Sequence, residues 1–367
     1  MRKYLTPIVL YLLINVLFID KYTMRFTEWH YLCDAIYLLI GSSIILGLSF
    51  SKIRERLAKI LLWTWYLLYC IIFIVLQYKI DPFSLQVDRW SAIHNFLSNL
   101  FHGVYPYSAQ THLGGYGSPF PIWQILHIPF YLLGNVGLSF FFALTGFLFI
   151  IVRCHSARTA LITLILVSIS PAINYEILVR SDLITNFICV CALCEWLRYK
   201  SVQLPNYTYL IAILVGICAS TRLAAVIPLA LLYGYAFLQL GWKKQLGFIM
   251  TLGATFTLIF LPFLLWDGNM LLFFEYNPFV LQTRQGGLVV FILFALIAIG
   301  WTIYIKDRLQ KFNFYAGGLL TILVVFAFIA TLIQTGNYNI YSSQYDITYF
   351  NMALPFYILE IAYQTTP

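Results

Sequence analysis

Long apolar runs divided by short polar breaks set the character of this chain. They cover residues 4–19, 31–50, 60–78, 136–152, 160–176, 183–197, 207–221, 224–240, 246–266, 288–304, 316–335 and 347–363. A helix that crosses the hydrocarbon core of a bilayer needs roughly 17–25 residues. The pattern therefore predicts an all-α, polytopic integral membrane protein with about twelve transmembrane helices, several of them short. No internal repeat and no low-complexity tract divides residues 1–367, so one integral membrane domain is expected.

One polar stretch, residues 81–121, interrupts this pattern. Within it Trp90, Ile93, Leu97, Leu100 and Phe101 recur at helical spacing, which predicts an amphipathic helix on the membrane surface over 88–102, closed by Gly103. Turn residues follow, among them Gly114, Gly115, Gly117, Pro119 and Pro121. A further apolar run at 120–133 carries Pro121, His127 and Pro129 and is short for a span.

Composition agrees with lipid as the solvent. The chain is 61% hydrophobic and 10% charged, with a mean hydropathy of +0.83, whereas soluble domains carry about 25% charged residues. The net charge of +8 is scattered in small groups between apolar runs, a pattern of topology signalling and not of nucleic-acid binding. The seven cysteines lie almost entirely inside apolar runs and read as small buried hydrophobes. Cys189, Cys191 and Cys194 sit too close within one apolar helix for a zinc site. No small-residue cleavage site follows the first run, so a retained span is expected there.

Basic residues decide whether 120–133 crosses. If it does not, 15 of the 22 Lys and Arg lie on the side of the termini; if it does, only 9 lie there. The positive-inside rule favours the first arrangement. Both termini are then cytoplasmic, and residues 79–135 form one extracytoplasmic loop with interfacial or re-entrant helices. The expected setting is a multi-pass protein of a cell membrane, a bacterial inner membrane by preference. Asn206-Tyr207-Thr208 matches a glycosylation acceptor but falls on the cytoplasmic side. The basic residues left outside are Lys21, Arg25, Lys79, Arg89, Arg180, Arg222 and Arg284. Charges at such positions are candidates for function, with snorkelling to headgroups as the alternative.

Asp88, at the head of the predicted surface helix, fits two roles. It is a favoured N-cap residue, and a carboxylate placed there also points out of the helix, where it can act as a base. Asp182 can pair locally with Arg180. The histidines His94, His102, His112 and His127 have no compact metal-ligand spacing. Asp267 and Glu275 could join Asp88 around a divalent ion, although no motif indicates one.

Asp88, then Gly103-Val104-Tyr105-Pro106-Tyr107, then Ser118-Pro119-Phe120-Pro121 resembles the first extracytoplasmic loop of the C-type (GT-C) glycosyltransferases, polytopic enzymes of the mannosyltransferase-like kind. In that superfamily an Asp early in the loop is catalytic, followed by a G-x-x-P-Y turn and a proline pair, here split by Phe120. Arg180-Ser181-Asp182, Thr221-Arg222-Leu223 and the Tyr345–Phe350 stretch are similar to further elements of the family. Two runs precede the one that leads into the loop, where many relatives have none.

The resemblance implies transfer of a sugar from a polyprenyl-phosphate donor to a glycan or glycolipid acceptor on the extracytoplasmic face. It assigns Asp88 as catalytic base and Arg89, Tyr105, Tyr107, Arg180, Asp182, Arg222, Arg284 and Tyr349 as substrate-binding residues. Arginine suits this task because its planar fork matches phosphate oxygens. No organic cofactor is implied. A carrier or flippase for a polar lipid or sugar is the alternative reading, although such proteins commonly place charges at mid-membrane between inverted repeats.

Overall fold

The computed structural model describes residues 5–283, 287–342 and 344–365. Three helices open the chain: α1 (Leu5–Thr23), α2 (His30–Phe50) and α3 (Glu55–Lys79). The polar stretch folds into α4 (Arg89–Phe101), α5 (Pro121–Leu126) and α6 (Ile128–Leu132), with 3-10 turns at Pro82–Ser84 and Pro106–Ser108. Then come α7 (Ser139–Cys154), α8 (Ala157–Ser168), α9 (Pro171–Leu178), α10 (Leu183–Tyr199), α11 (Thr208–Ala219) and α12 (Val226–Leu238). The last third holds α13 (Trp242–Leu272), α14 (Pro278–Thr283), α15 (Leu288–Tyr304), α16 (Phe312–Thr335), a 3-10 segment at Ile347–Ala353 and α17 (Leu354–Thr365). The described residues contain no strand beyond one isolated bridge between Gln110 and Tyr116.

Each of the twelve apolar runs contains helix, and six helices are long and apolar enough to cross a membrane: Leu5–Thr23, His30–Phe50, Glu55–Lys79, Val136–Cys154, Trp242–Leu272 and Leu309–Thr335. The count reaches seven if α8 and α9, bent by 72° at their break, act as one. The break has a local cause. Pro171 has no amide hydrogen to continue the ladder, and the Ser170 side chain accepts from Ile173 N to cap the new helix. Helices such as α11, 12 residues long, reach about 18 Å at 1.5 Å per residue, against a hydrocarbon core of roughly 30 Å. The expected twelve spans are thus twelve helical runs, of which these six pass on length and composition.

α5 and α6, six and five residues long, are too short to cross. Pro129, at the second position of α6, and the turn at His127 divide the 120–133 run. The predicted helix over 88–102 is α4, whose Trp90, Ile93, Phe96 and Leu97 are buried.

Two hydrophobic clusters organise the molecule. The larger runs through α1, α7, α8, α10, α16 and α17. Around it, α2 buries only Asp34, Gly41 and Ile45 and turns an Ile- and Leu-rich face outward, as a lipid-facing helix does. The smaller cluster is largely aromatic and joins the polar stretch to α13 through Trp90, Phe96, Tyr107, Phe120, Phe260 and Phe263. Edge-to-face pairs such as Phe96–Tyr107 at 4.9 Å and Phe120–Phe260 at 5.0 Å fix its geometry. The polar stretch is therefore a packed element seated on α13, which holds the start of α4 in one place.

Candidate functional site

A cavity of about 690 Å³ lies where the start of α4, the turns at 182 and 222, and the segment leading into α17 converge. Its polar wall includes Asp88, Arg89, Asp182, Arg222, Asp346 and Tyr349. Its apolar wall comes from α12, α15 and α16, through Val226, Ile227, Phe291, Phe294, Leu323 and Val324.

Asp88 occupies the N-cap position of α4 but makes no side-chain capping bond. Its Oδ2 instead accepts from Thr111 Oγ1 at 2.7 Å. The glycine-rich turn makes this contact possible. Gly114 takes φ +82°, a left-handed value open to glycine. A Cβ on Gly115 would stand 3.0 Å from Asp88 Oδ2. Thr111 is held in turn by Gly115, since Thr111 N donates to Gly115 O at 2.8 Å and Gly115 N donates to Thr111 Oγ1 at 2.9 Å. The carboxylate is oriented from one side by a single hydroxyl, and the residue lines the cavity.

Arg89 reaches the last polar segment. Its Nη2 donates to Asp346 Oδ2 and to Thr348 Oγ1, each at 2.6 Å, and Nη1 lies 3.7 Å from Glu176 Oε1. The guanidinium also stands 5.2 Å from the centre of the Tyr349 ring. Burial works against its charge, but Asp346 and Glu176 outweigh that and hold it firmly protonated. For Asp346 burial likewise opposes ionisation. Arg89 and the Thr348 hydrogen bonds prevail and keep the carboxyl below its ordinary value. Asp346 sits deep in the fold, yet 38% of its side-chain surface stays accessible, because that side faces the cavity.

Arg222 and Asp182 form a buried pair. Arg222 Nη2 donates to Asp182 Oδ2 at 2.6 Å, and Trp123 Nε1 donates to the same oxygen at 2.7 Å. Desolvation would raise the Asp182 carboxyl, and Arg222 overcomes it, leaving the group below the ordinary carboxylate value. Asp182 Oδ1 and Arg222 Nε are buried without hydrogen-bond partners. The 222 turn is stitched to the loop by backbone and amide bonds. Phe120 N donates to Thr221 O at 3.1 Å. Gln282 of α14 joins Leu223 N to Ser118 O, both at 2.8 Å.

Of the residues singled out in the sequence, Asp88, Arg89, Asp182, Arg222 and Tyr349 share one cavity. The local Arg180–Asp182 pair is replaced: Asp182 is bound by Arg222, and Arg180 points the other way. Arg180 has φ +54°, and its Nη2 donates to the carbonyls of Gln77 and Ile80, at the end of α3. It does not line the cavity. Tyr105 and Tyr107 belong to the aromatic cluster, where Tyr107 Oη donates to Pro119 O at 3.2 Å, and neither lines the cavity. Arg284 lies outside the described residues.

The four histidines are dispersed. His112 bridges Ser91 Oγ and Leu85 O, and His102 bonds Ser98 O. His94 rests on Tyr131. His127 is buried with Nδ1 on Trp123 O, and burial pushes its imidazole below the ordinary value. Asp267 Oδ1 accepts from Met270 N at the kink of α13 and joins no metal-binding group with Asp88 or Glu275 among the described residues.

Residue patterning alone did not point to Glu176, Trp123 and Gln282. Glu176 carried the one available signal, as an acid at the end of an apolar run. Comparison with protein-family models, with characterised proteins and with solved structures finds no match for this chain.

Proposed function

We propose that the chain is a membrane glycosyltransferase that takes its sugar from a polyprenyl-phosphate donor and passes it to a glycan or glycolipid hydroxyl. The observation that carries this reading is the setting of Asp88: a carboxylate that forgoes its helix cap, is oriented by Thr111, and shares a cavity with Arg222 and an apolar wall. A donor of this class has a charged head and a hydrocarbon tail, and the two walls match its two parts. Asp88 takes the proton of the acceptor hydroxyl as that oxygen attacks the sugar carbon. The bond from that carbon to the phosphate oxygen breaks, and the phosphate leaves with its electron pair. Arg222 lines the cavity and commits Nη2 to Asp182, which leaves its other Nη to donate to a phosphate oxygen. Arg89 is committed to Asp346 and Thr348 and sets the position of Tyr349 at the cavity edge.

In this reading the shorter interior helices complete about twelve crossings within the bundle, both termini are cytoplasmic, and residues 79–135 are extracytoplasmic. The test is transfer of radiolabel from polyprenyl-phosphate hexoses in vesicles that carry wild-type protein or Asp88→Asn. The variant is expected to insert and purify normally and to lose transfer by at least about a hundredfold, the scale of a lost general base. Wild-type transfer by Asp88→Asn would refute the role of Asp88. Uptake of substrate into vesicles without transfer would favour a carrier.

A further inference from the structure

We infer that Asp20, His30 and Asp34 form a binding site for a divalent transition metal, Zn²⁺ by ligand chemistry, at the end of the α1–α2 hairpin. This inference is independent of the proposed transfer reaction. Asp20 lies in the last turn of α1, His30 opens α2, and Asp34 follows four residues later on the same face of that helix. One ligand atom from each lies within 4.8 Å of the others. Ligand atoms around a tetrahedral zinc sit about 3.4 Å apart, given bonds of roughly 2.1 Å, so side-chain rotation closes the set.

The group is not satisfied by its own contacts. Asp20 Oδ1 meets His30 Nδ1, and Asp20 Oδ2 accepts from Tyr341 Oη at 2.6 Å. Asp34 is only 9% exposed, and its Oδ1 has no hydrogen-bond partner. A buried carboxylate oxygen without a donor is unfavourable, and a cation shared with Asp20 and His30 removes that deficit. Imidazole with two carboxylates selects zinc-like ions over Mg²⁺ or Ca²⁺, which prefer all-oxygen ligands. The Tyr341 hydroxyl supplies the outer hydrogen bond that ligating carboxylates commonly carry. Tyr341 belongs to the segment that leads to Asp346, so the metal would tie the hairpin to the strap that carries the partner of Arg89.

The test uses tag-free, full-length protein in detergent, stripped with chelator and titrated with Zn²⁺ by calorimetry and with Co²⁺ by visible absorption. The expected result is one saturable site per chain and Co²⁺ bands of an N/O ligand set that Zn²⁺ bleaches. Asp34→Asn and His30→Gln should each weaken Zn²⁺ binding roughly tenfold or more. Glu28→Gln, an exposed carboxylate in the same hairpin, should leave it unchanged. Absence of saturable binding and of Co²⁺ bands in the wild type would overturn the inference, which keeps it testable even if a variant fails to fold. Unweakened binding in both ligand variants would overturn it too, and would mean adventitious metal elsewhere on the chain.

Discussion

Arg222 and Asp182 decide much of the electrostatics around the cavity. Their side chains are 8% and 2% exposed, and removing one partner of such a pair strands the other charge, at a cost of about 3–5 kcal/mol. Asp182→Asn is therefore expected to lower the thermal midpoint of the detergent-solubilised protein at neutral pH. The pH dependence has a definite sign. Asp182 and Asp346 both ionise below the ordinary Asp value of about 3.9. The unfolded chain then binds more protons, so the stability they contribute is complete above that pH and is lost as pH falls through their lower folded values. The wild-type midpoint should drop steeply below about pH 4, and Asp182→Asn should show a shallower acid limb. A neutral midpoint equal to wild type in that variant would contradict the pair.

At this scale the sequence was a partial guide. Asp88 could be singled out as the acid at the head of a predicted helix, and Arg222 as a basic residue that the charge bias leaves on the outer side. The direction of a side chain is another matter. Arg180 stands two residues from Asp182, yet its left-handed backbone sends the guanidinium to the end of α3. The Tyr105-Pro106-Tyr107 turn was legible, but its two rings are drawn into the aromatic cluster.

At the scale of elements, apolar periodicity located the long helical runs, missed the short α14 (Pro278–Thr283) and did not show how the runs end. The break at Ser170-Pro171 divides the continuous run 160–176 into two bent helices, while α13 continues past the end of its run at residue 266, through a kink at Asp267. Close helix approach is a further property that hydropathy does not report. Gly216 of α11 faces α13, where an added Cβ would meet Thr255 Cβ at 2.9 Å and Leu252 O at 3.1 Å. Gly216→Ala is expected to cost about 1–3 kcal/mol through overpacking, read as a lower thermal midpoint. An unchanged midpoint would mean that the α11–α13 contact yields without cost.

For the whole molecule, orientation is the property that the proposed transfer reaction requires, and charge distribution predicts it. Single cysteines placed in a background without the native seven should separate by face. Leu113→Cys, exposed in the turn after α4, should react with an impermeant maleimide from outside intact cells. Lys243→Cys, exposed at the start of α13, should react only after permeabilisation. The opposite pattern would invert the topology and move the cavity to the cytoplasmic face.

By itself the sequence determined the solvent, the helical class, the position of the structured polar stretch and the acid at its head. Each of these follows from local composition and period, which neighbouring residues carry in full. Tertiary structure alone decided that Arg89 is bound by Asp346 and Glu176, and Arg222 by Asp182. It also decided which helices are long enough to cross. Those partners lie 40 to 257 residues apart along the chain. Charge pairing depends on distance in space, and only the packed bundle sets that distance.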